Sequence, residues 1–350
     1  MATLADIAAK AGVSKATASR VLSGKTGVPV SPETVARIRQ AAAEAGYTPN
    51  RLAAALATGR TNMIAVLLPV LDRPYYSAII GHIERLARAD GYELLITCVR
   101  PGSDLRRLAA LPADGCILCE LYGVGEPIIA AMQKRGAVVG LSGQTHSTMD
   151  SVVFDMDSAV ADAIGHMVEQ GCRRIGYLTV PPTIRPEYPR WHGYQKVLGE
   201  RGMEPLPLLI DAERRNLARD RIIEALEQYP DMDGLFCHTD HLALGAMRGI
   251  VDSGRRVPED ITVAGCDNTE EGEFCEPPLS TISLPLGPMC EHAWRLIRRR
   301  LCEPEAPVEH LSLPATFVVR RSTLRHSHQT HAPSAQRALT GTNHSKGGTP

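Results

Sequence analysis

The chain has 350 residues, 44% of them apolar and 22% charged, and a net charge of −1. That length predicts two or three domains, and the apolar share is ordinary for a globular protein with a sizeable core. No apolar run reaches the roughly 18 residues of a membrane span, and MATLADIAAK lacks a basic stretch followed by a long apolar one, so neither a span nor a secretory signal is expected and a cytoplasmic location is.

Charge is unevenly placed. Residues 1–60 carry eight Lys/Arg against three Asp/Glu, net +5, and the remainder carries thirty against thirty-six, net −6. A basic head on an acidic body predicts that the head meets a polyanion. The nine cysteines are an odd number scattered through apolar segments, which reads as reduced, buried thiols rather than a disulfide frame. Cys116 and Cys119 form a CxxC in GCILCE. No second Cys or His pair completes a metal site, and on a strand an offset of three puts the two thiols on opposite faces.

The first sixty residues hold four short helix signals. Thr3 can cap a helix over 4–11, with Asp6 as its capping-box partner and Gly12 at its end. Ser14 caps the next, over 15–22, closed by Gly24. Ser31 and Pro32 open a third that runs to Ala45, with Gly46 beyond it. Asn50 can cap a fourth segment, RLAAALAT, stopped by Gly59. That last segment is too short to be stable alone and could fold when DNA is bound.

The first two helices, joined by AGVS, predict a helix-turn-helix. At about 100° per residue, Ala18, Val21 and Leu22 share one face and can pack on Ile7, Ala8 and Val13. The opposite face carries Ala16, Ser19 and Arg20, flanked by Lys15 and Thr17. Small side chains let such a helix enter a major groove closely. Arg20 can donate two hydrogen bonds to a guanine edge, while Ser14, Thr17 and the helix N-terminus can hold phosphates.

From residue 61 apolar runs alternate with helical stretches: MIAVLLP, YELLITCV, DGCILCE, AVVGLSG, SVVFDMD, RRIGYLTV, DGLFCHT and ITVAGCD read as strands. Such runs predict parallel sheet covered on both faces, and their number predicts two similar halves. The stretch between Arg100 and Asp114 is short, so a stunted second helix is expected in the first half. Residues 322–350 are polar, rich in His, Ser, Thr and Gly, without apolar period, and are expected to be disordered.

TLADIAAKAGVSKATASRVLSG, followed by VSPETVARIRQAAAEAGYTPNRLAAALATG, is similar to the head of the lactose-repressor (LacI) family. The resemblance continues through MIAVLLPVLDRPYYSAIIGHIERLARADGYELLI, RRIGYL, PRWHGYQKVL, DGLFCHTDHLALGAM, VPEDITVAGCDN and PPLSTI, and covers residues 3–322. It implies a small all-α helix-turn-helix head over 1–48, a hinge helix over 49–60 and an α/β effector-binding body over 61–322. The body would be two doubly wound parallel-sheet subdomains of periplasmic-binding-protein type, about 61–157 with 286–320 and 158–285 with 321–322. Its crossovers would fall near 157–160, 283–286 and 320–322, leaving 323–350 as a disordered tail.

The resemblance also implies a homodimer on a near-palindromic operator in double-stranded DNA. Ser14, Lys15, Ala16, Thr17, Ser19 and Arg20 would serve the head, and Asn50, Ala53 and Leu56 the hinge. Leu56 matches a leucine that wedges into a base step and kinks the duplex; its plainer reading is hinge packing. Some residues depart from the family. Ala16 offers only a methyl where relatives often have a larger reader, Ser23 stands where asparagine is frequent, the loop SGKTGVPVSPE is longer than usual, and Cys266 stands where phenylalanine is common.

A small-molecule effector is implied, a sugar with nucleobases the minority case, in a cleft between the halves, with no cofactor. Ligands of open α/β sheets bind at the carboxyl ends of strands. Asp72, Tyr75 and Tyr76 lie in LDRPYY after the first body strand, where an aromatic face suits a sugar ring. Arg190 in PRWHGY matches an arginine that holds ligand hydroxyls or carboxylates, as a guanidinium fork can. Thr239 and Asp240 follow a strand, though relatives usually carry asparagine at the position of Thr239. Asp267 ends ITVAGCD and matches an acidic ligand residue. The plainer readings are helix-start packing for the tyrosines, a surface ion pair for Arg190 and a helix cap for Asp267. HTDH at 238–241 straddles a strand end and a helix start, so metal is not expected there.

Two rivals fit less well. A secreted solute-binding protein would explain the body but not the basic head. An enzyme would need a site that is missing. SGKTG has Ser19 where a phosphate-binding loop needs glycine, and a helix rather than a strand precedes it. In GLSG, at 140–143, the second glycine comes one residue early for a nucleophile elbow. The expectation is a ligand-controlled transcriptional regulator, a repressor, and not an enzyme.

Overall fold

The computed structural model describes residues 2–22, 30–47, 55, 59–100, 103–120, 124–142, 145–185 and 188–325. Asn50, Ala53 and Leu56 lie outside the described residues. The chain divides into two compact units, Met1–Ala159 with Ser283–Thr316, and Val160–Ile282 with Phe317–Pro350.

The head contains α1 (Leu4–Lys10), α2 (Lys15–Leu22) and α3 (Pro32–Glu44). The Thr3 hydroxyl accepts the Asp6 amide at 3.4 Å, and the Asp6 carboxylate accepts the Thr3 amide at 2.8 Å, so both ends of the expected capping box are made. Gly12 turns the chain at φ +63°, a conformation that glycine adopts without penalty. Ser31 caps α3 and Pro32 occupies its first turn. Ile7, Ala8 and Ala18 pack with Ile38, Ala41 and Ala42 to form the core, with Val13, Val21 and Leu22 at its margin. A 2.7 Å ion pair between Lys10 and Glu44 joins α1 to α3.

The first unit's sheet contains β1 (Met63–Leu68), β2 (Glu93–Cys98), β3 (Gly115–Cys119), β4 (Ala137–Leu141), β5 (Asp150–Asp155) and β11 (His310–Pro314), in the order β11-β5-β4-β3-β1-β2. Every neighbouring pair runs parallel. Helices α4 (Pro74–Ala89), α5 (Leu105–Leu108), α6 (Glu126–Gln133) and α12 (Leu286–Cys302) belong to this unit. α4 buries Ile79, Ile83 and Ala87, one helical stripe at i, i+4 and i+8. α5 is a single turn of four residues, the stunted helix that the short stretch before Asp114 predicts.

The second unit repeats the plan. Its sheet holds β6 (Ile175–Thr179), β7 (Leu206–Leu209), β8 (Gly234–Cys237), β9 (Thr262–Cys266), β10 (Ser280–Ser283) and β12 (Thr316–Val318), in the order β12-β10-β9-β8-β6-β7. Its helices are α7 (Asp157–Glu169, which spans the junction), α8 (Pro189–Glu200), α9 (Arg215–Gln228), α10 (Asp240–Asp252) and α11 (Glu270–Phe274). α9 and α10 approach closely because of Gly245 and Gly249, where an added Cβ would lie 2.3 and 2.5 Å from the Arg215 and Arg219 carbonyl oxygens. Leu178, Leu208, Ile222, Leu235, Ile250 and Val263 are fully buried between sheet and helices.

Two boundaries differ from expectation. The third passage between units falls at 316–317 rather than 320–322, because β12 already pairs in the second sheet. The polar tail does not begin at 323. The Thr323 hydroxyl lies 2.7 Å from that of Ser280 and 2.9 Å from His166 Nε2, and the Arg325 guanidinium donates to the Asp233 carbonyl at 2.6 Å. Among the described residues no helix is long and apolar enough to cross a membrane.

Candidate functional site

In the head, Ala18 is fully buried and fixes which face of α2 points outward. Lys15, Ala16 and Ser19 are exposed, and Thr17 and Arg20 are half-buried. Ser14 caps α2 as expected: its hydroxyl accepts the Thr17 amide at 3.1 Å and lies 2.9 Å from the Thr17 hydroxyl. The exposed side chains are short except at Lys15, so the helix backbone can come close to a partner surface.

In the first unit, the segment after β1 leads into α4. Asp72 is 78% exposed and pairs with Arg73 at 2.9 Å. Tyr75 is buried, and its ring meets the edge of Tyr76 at 5.0 Å between centroids. The Tyr76 hydroxyl donates to Glu120 at 2.6 Å, and the Ser142 hydroxyl donates to the other Glu120 oxygen at 3.1 Å. Glu120 and Ser142 immediately follow β3 and β4, at φ +49° and +50°. The two side chains therefore sit at the carboxyl edge of the sheet, where α/β ligands bind. Neither was singled out in the sequence; an acid closing the run DGCILCE was the available signal.

In the second unit, Arg190 and Asp267 lie together, with Nη2 and Oδ1 3.7 Å apart. Arg190 Nε donates to Cys266 Sγ at 3.2 Å, and Nη1 lies 3.4 Å from His238 Nε2. His238 Nδ1 lies 2.6 Å from the hydroxyl of Tyr177, whose ring stacks on Tyr194 and Phe236 and leans on Trp191. Burial, with the Arg190 charge added, holds the His238 pKa well below the usual imidazole value, so the ring is neutral. Burial also pushes the Cys266 thiol far up, so it stays protonated beside the guanidinium.

Thr239 and Asp240 are placed differently from a ligand pair. The Thr239 hydroxyl accepts the Leu242 amide at 3.3 Å and caps α10. Asp240 is fully buried; its oxygens accept the Thr281 hydroxyl at 2.6 Å and the Thr269 amide at 2.8 Å. Burial raises its pKa to about 6 despite those bonds. Asp240 thus braces the turn at Asp267 and Asn268, which both hold positive φ, at 120° and 54°. Missed in the sequence was His238, visible there only as part of HTDH.

Among the described residues no group of three or more His, Cys, Asp or Glu could hold a metal ion. The CxxC thiols sit on β3 and are free; burial pushes Cys116 up to about 12 and Cys119 well above its usual value, which makes both poor nucleophiles and ligands.

A family model described as bacterial regulatory proteins, lacI family, matches residues 3–50, and a periplasmic binding protein-like domain matches residues 164–323. The chain is 30% identical to the HTH-type transcriptional regulator CelR of Thermobifida fusca, over 91% of this chain and 98% of that one. It is 28% identical to the ribose operon repressor of Halalkalibacterium halodurans, over 92% and 97%. Among solved structures, it matches the lac repressor dimer bound to operator and the anti-inducer ONPF with a TM-score of 0.79 at 27% identity, covering 92% of this chain and 99% of that one. A transcriptional regulator CelR–cellobiose complex matches with a TM-score of 0.65 at 27% identity, covering 92% and 100%.

Proposed function

The chain belongs to the lacI family of bacterial regulatory proteins, and on that premise we propose that it is a sugar-controlled repressor acting as a homodimer on a near-palindromic operator. It is a DNA-binding transcriptional regulator and not an enzyme. The observation that carries the operator role is the outward face of α2, with Lys15, Ala16 and Ser19 exposed opposite buried Ala18. Arg20 reads a guanine edge, while Ser14, Lys15 and Thr17 hold phosphates and set the register. The hinge over 49–60 completes the interface through Asn50, Ala53 and Leu56. The protein works in the cytoplasm, where the operator is.

The effector-binding side chains are Arg190 and Asp267 in the second unit and Asp72, Tyr75 and Tyr76 in the first. In the second unit the charges of Arg190 and Asp267 offset each other and His238 is neutral. Such a group exerts little pull on a free anion but offers both donors and acceptors, which suits hydroxyls that do both. A neutral sugar is the ligand class that follows. Asp240 and Thr239 shape the edge from inside.

The test is to select binding sites from a random double-stranded pool with the purified chain. The recovered site is then titrated against salt and against cellobiose and D-ribose. The expected outcome is a near-palindromic site bound by a dimer, with a log–log salt slope of about −0.9 per phosphate neutralised, and one sugar that shifts affinity. An unenriched pool, or binding indifferent to salt, overturns the proposal.

A further inference from the structure

Two aspartates make related clamps in the two units, offset by one residue. Asp114, just before β3, accepts the Thr61 amide at 2.6 Å and the Thr61 hydroxyl at 2.7 Å on one oxygen, and the Asn62 amide at 3.0 Å on the other. The Thr61 hydroxyl in turn accepts the Met63 amide at 3.2 Å. Asp233, just before β8, accepts the Arg173 amide at 2.9 Å on both oxygens and the Arg174 amide at 2.9 Å. β1 follows the first gripped pair and β6 the second, and each is the parallel neighbour of the strand its aspartate precedes. The backbones agree: the Asp114 amide donates to the Met63 carbonyl at 2.8 Å, and that of Asp233 to the Arg174 carbonyl at 3.1 Å.

The difference lies upstream. Arg173 follows α7, an ordinary helix-to-strand junction. Thr61 follows Gly59 and Arg60, through which the three-helix head joins the body. β3 is an interior strand of its sheet, so the Asp114 carboxylate ties that joining point to the interior of the first unit's sheet. Amide and hydroxyl donors to a carboxylate make strong, directional bonds.

We infer that Asp114 is a positioning residue that fixes the body end of the DNA-binding linker; the inference rests on the regulator reading above. A linker anchored at one end has less conformational freedom to lose when it orders on DNA. A shift in the first unit's sheet is also passed to the head only if that end is held. Asp233 supplies the internal control, since it too is a carboxylate that holds backbone amides ahead of a strand, and it has no linker.

The experiment compares the full chain with Asp114→Asn, Asp233→Asn and Thr61→Val. Asparagine keeps one acceptor oxygen: in Asp114→Asn it can hold Thr61 or Asn62 but not both, whereas in Asp233→Asn an oxygen at the Oδ1 position still accepts both the Arg173 and the Arg174 amide. Two quantities are read: affinity for the site that the parent selects from a random pool, and the rate of trypsin cleavage after Arg60 without DNA. Asp114→Asn is expected to lose about fivefold in site affinity, the size of one weakened hydrogen bond. Thr61→Val should lose less, in the same direction, and both should speed cleavage after Arg60. Asp233→Asn should leave both site affinity and cleavage after Arg60 unchanged. Equal affinity losses in the two aspartate variants, or unchanged cleavage after Arg60, overturn the assignment. If Asp114→Asn does not fold, Thr61→Val decides by the same criteria. If the parent selects no site, the regulator reading falls and the cleavage comparison still decides the clamp.

Discussion

Arg190 Nη1 lies 3.4 Å from His238 Nε2, in a ring whose other nitrogen is 2.6 Å from the Tyr177 hydroxyl. A guanidinium only donates, so Nε2 accepts and the ring proton is assigned to Nδ1, which donates to the Tyr177 oxygen. His238 is therefore a neutral strut that sets where the Arg190 fork points. The arrangement is built from α8, β6 and the end of β8, which no single stretch of sequence brings together.

Tyr177→Phe removes the acceptor for a buried imidazole N–H and leaves the ring packing nearly intact. The expected cost is about 1–3 kcal/mol of stability. Thermal or denaturant unfolding of the purified protein measures it. Stability equal to the parent's would show that the strut contributes nothing.

Asp240 gives the pH dependence a sign. Burial raises its pKa from 3.8 to about 6 in the native state, so the native protein holds this proton more tightly than the unfolded chain. Stability from this group is highest below the unfolded value and falls as pH rises through about 4 to 6. The ionised form costs on the order of 3 kcal/mol above that window, at about 1.4 kcal/mol per unit. Asp240→Asn can keep both contacts, with its oxygen on the Thr269 amide and its NH2 donating to the Thr281 oxygen. Its stability relative to the parent should climb between about pH 4 and 6 and then level off. A difference between the two that is constant from pH 4 to 7 contradicts the assignment.

The same carboxylate makes one glycine indispensable. A Cβ on Gly265 would lie 2.2 Å from Asp240 Oδ1, with no room to yield in a fully buried site. Gly81 lies within α4 with nothing within 4 Å of its would-be Cβ. Gly265→Ala should destabilise by about 3 kcal/mol or more, as overpacking of a buried site does, whereas Gly81→Ala should stabilise by roughly 0.5–1 kcal/mol through helix propensity. Chemical denaturation of both variants gives the comparison, and a neutral Gly265→Ala would contradict the packing described.

Caps and buried strands are legible in the sequence because their physics is local. Thr3, Ser14 and Ser31 cap helices through partners three residues away, and buried parallel strands appear as continuous apolar runs. β7 and β11 escaped that criterion because they are edge strands with alternating burial and a proline each, Pro207 and Pro314; β12 is a three-residue edge strand, and interior β10 (STIS) is buried but mostly hydroxyl side chains. In the sequence Asp240 resembles a ligand residue because it follows a strand. What turns it inward is Thr281, 41 residues later, which no periodicity reveals. Likewise Glu120 gains meaning only from Tyr76 and Ser142, 44 and 22 residues away. Thr323 looked like the start of a polar tail because its partners, Ser280 and His166, are distant in the chain.

Separation of operator reading from sugar sensing is most directly tested by measuring affinity for the selected site, with and without the sugar that shifts it, for the parent, Arg20→Ala and Arg190→Ala. Arg20→Ala should lose about 1–3 kcal/mol and relax base preference at one position, while the sugar still shifts its affinity. Arg190→Ala should bind the site like the parent without sugar and respond weakly to it, because a ligand shifts an equilibrium only through its differential affinity for the two states. Full site discrimination in Arg20→Ala, or a full sugar response in Arg190→Ala, would contradict the account.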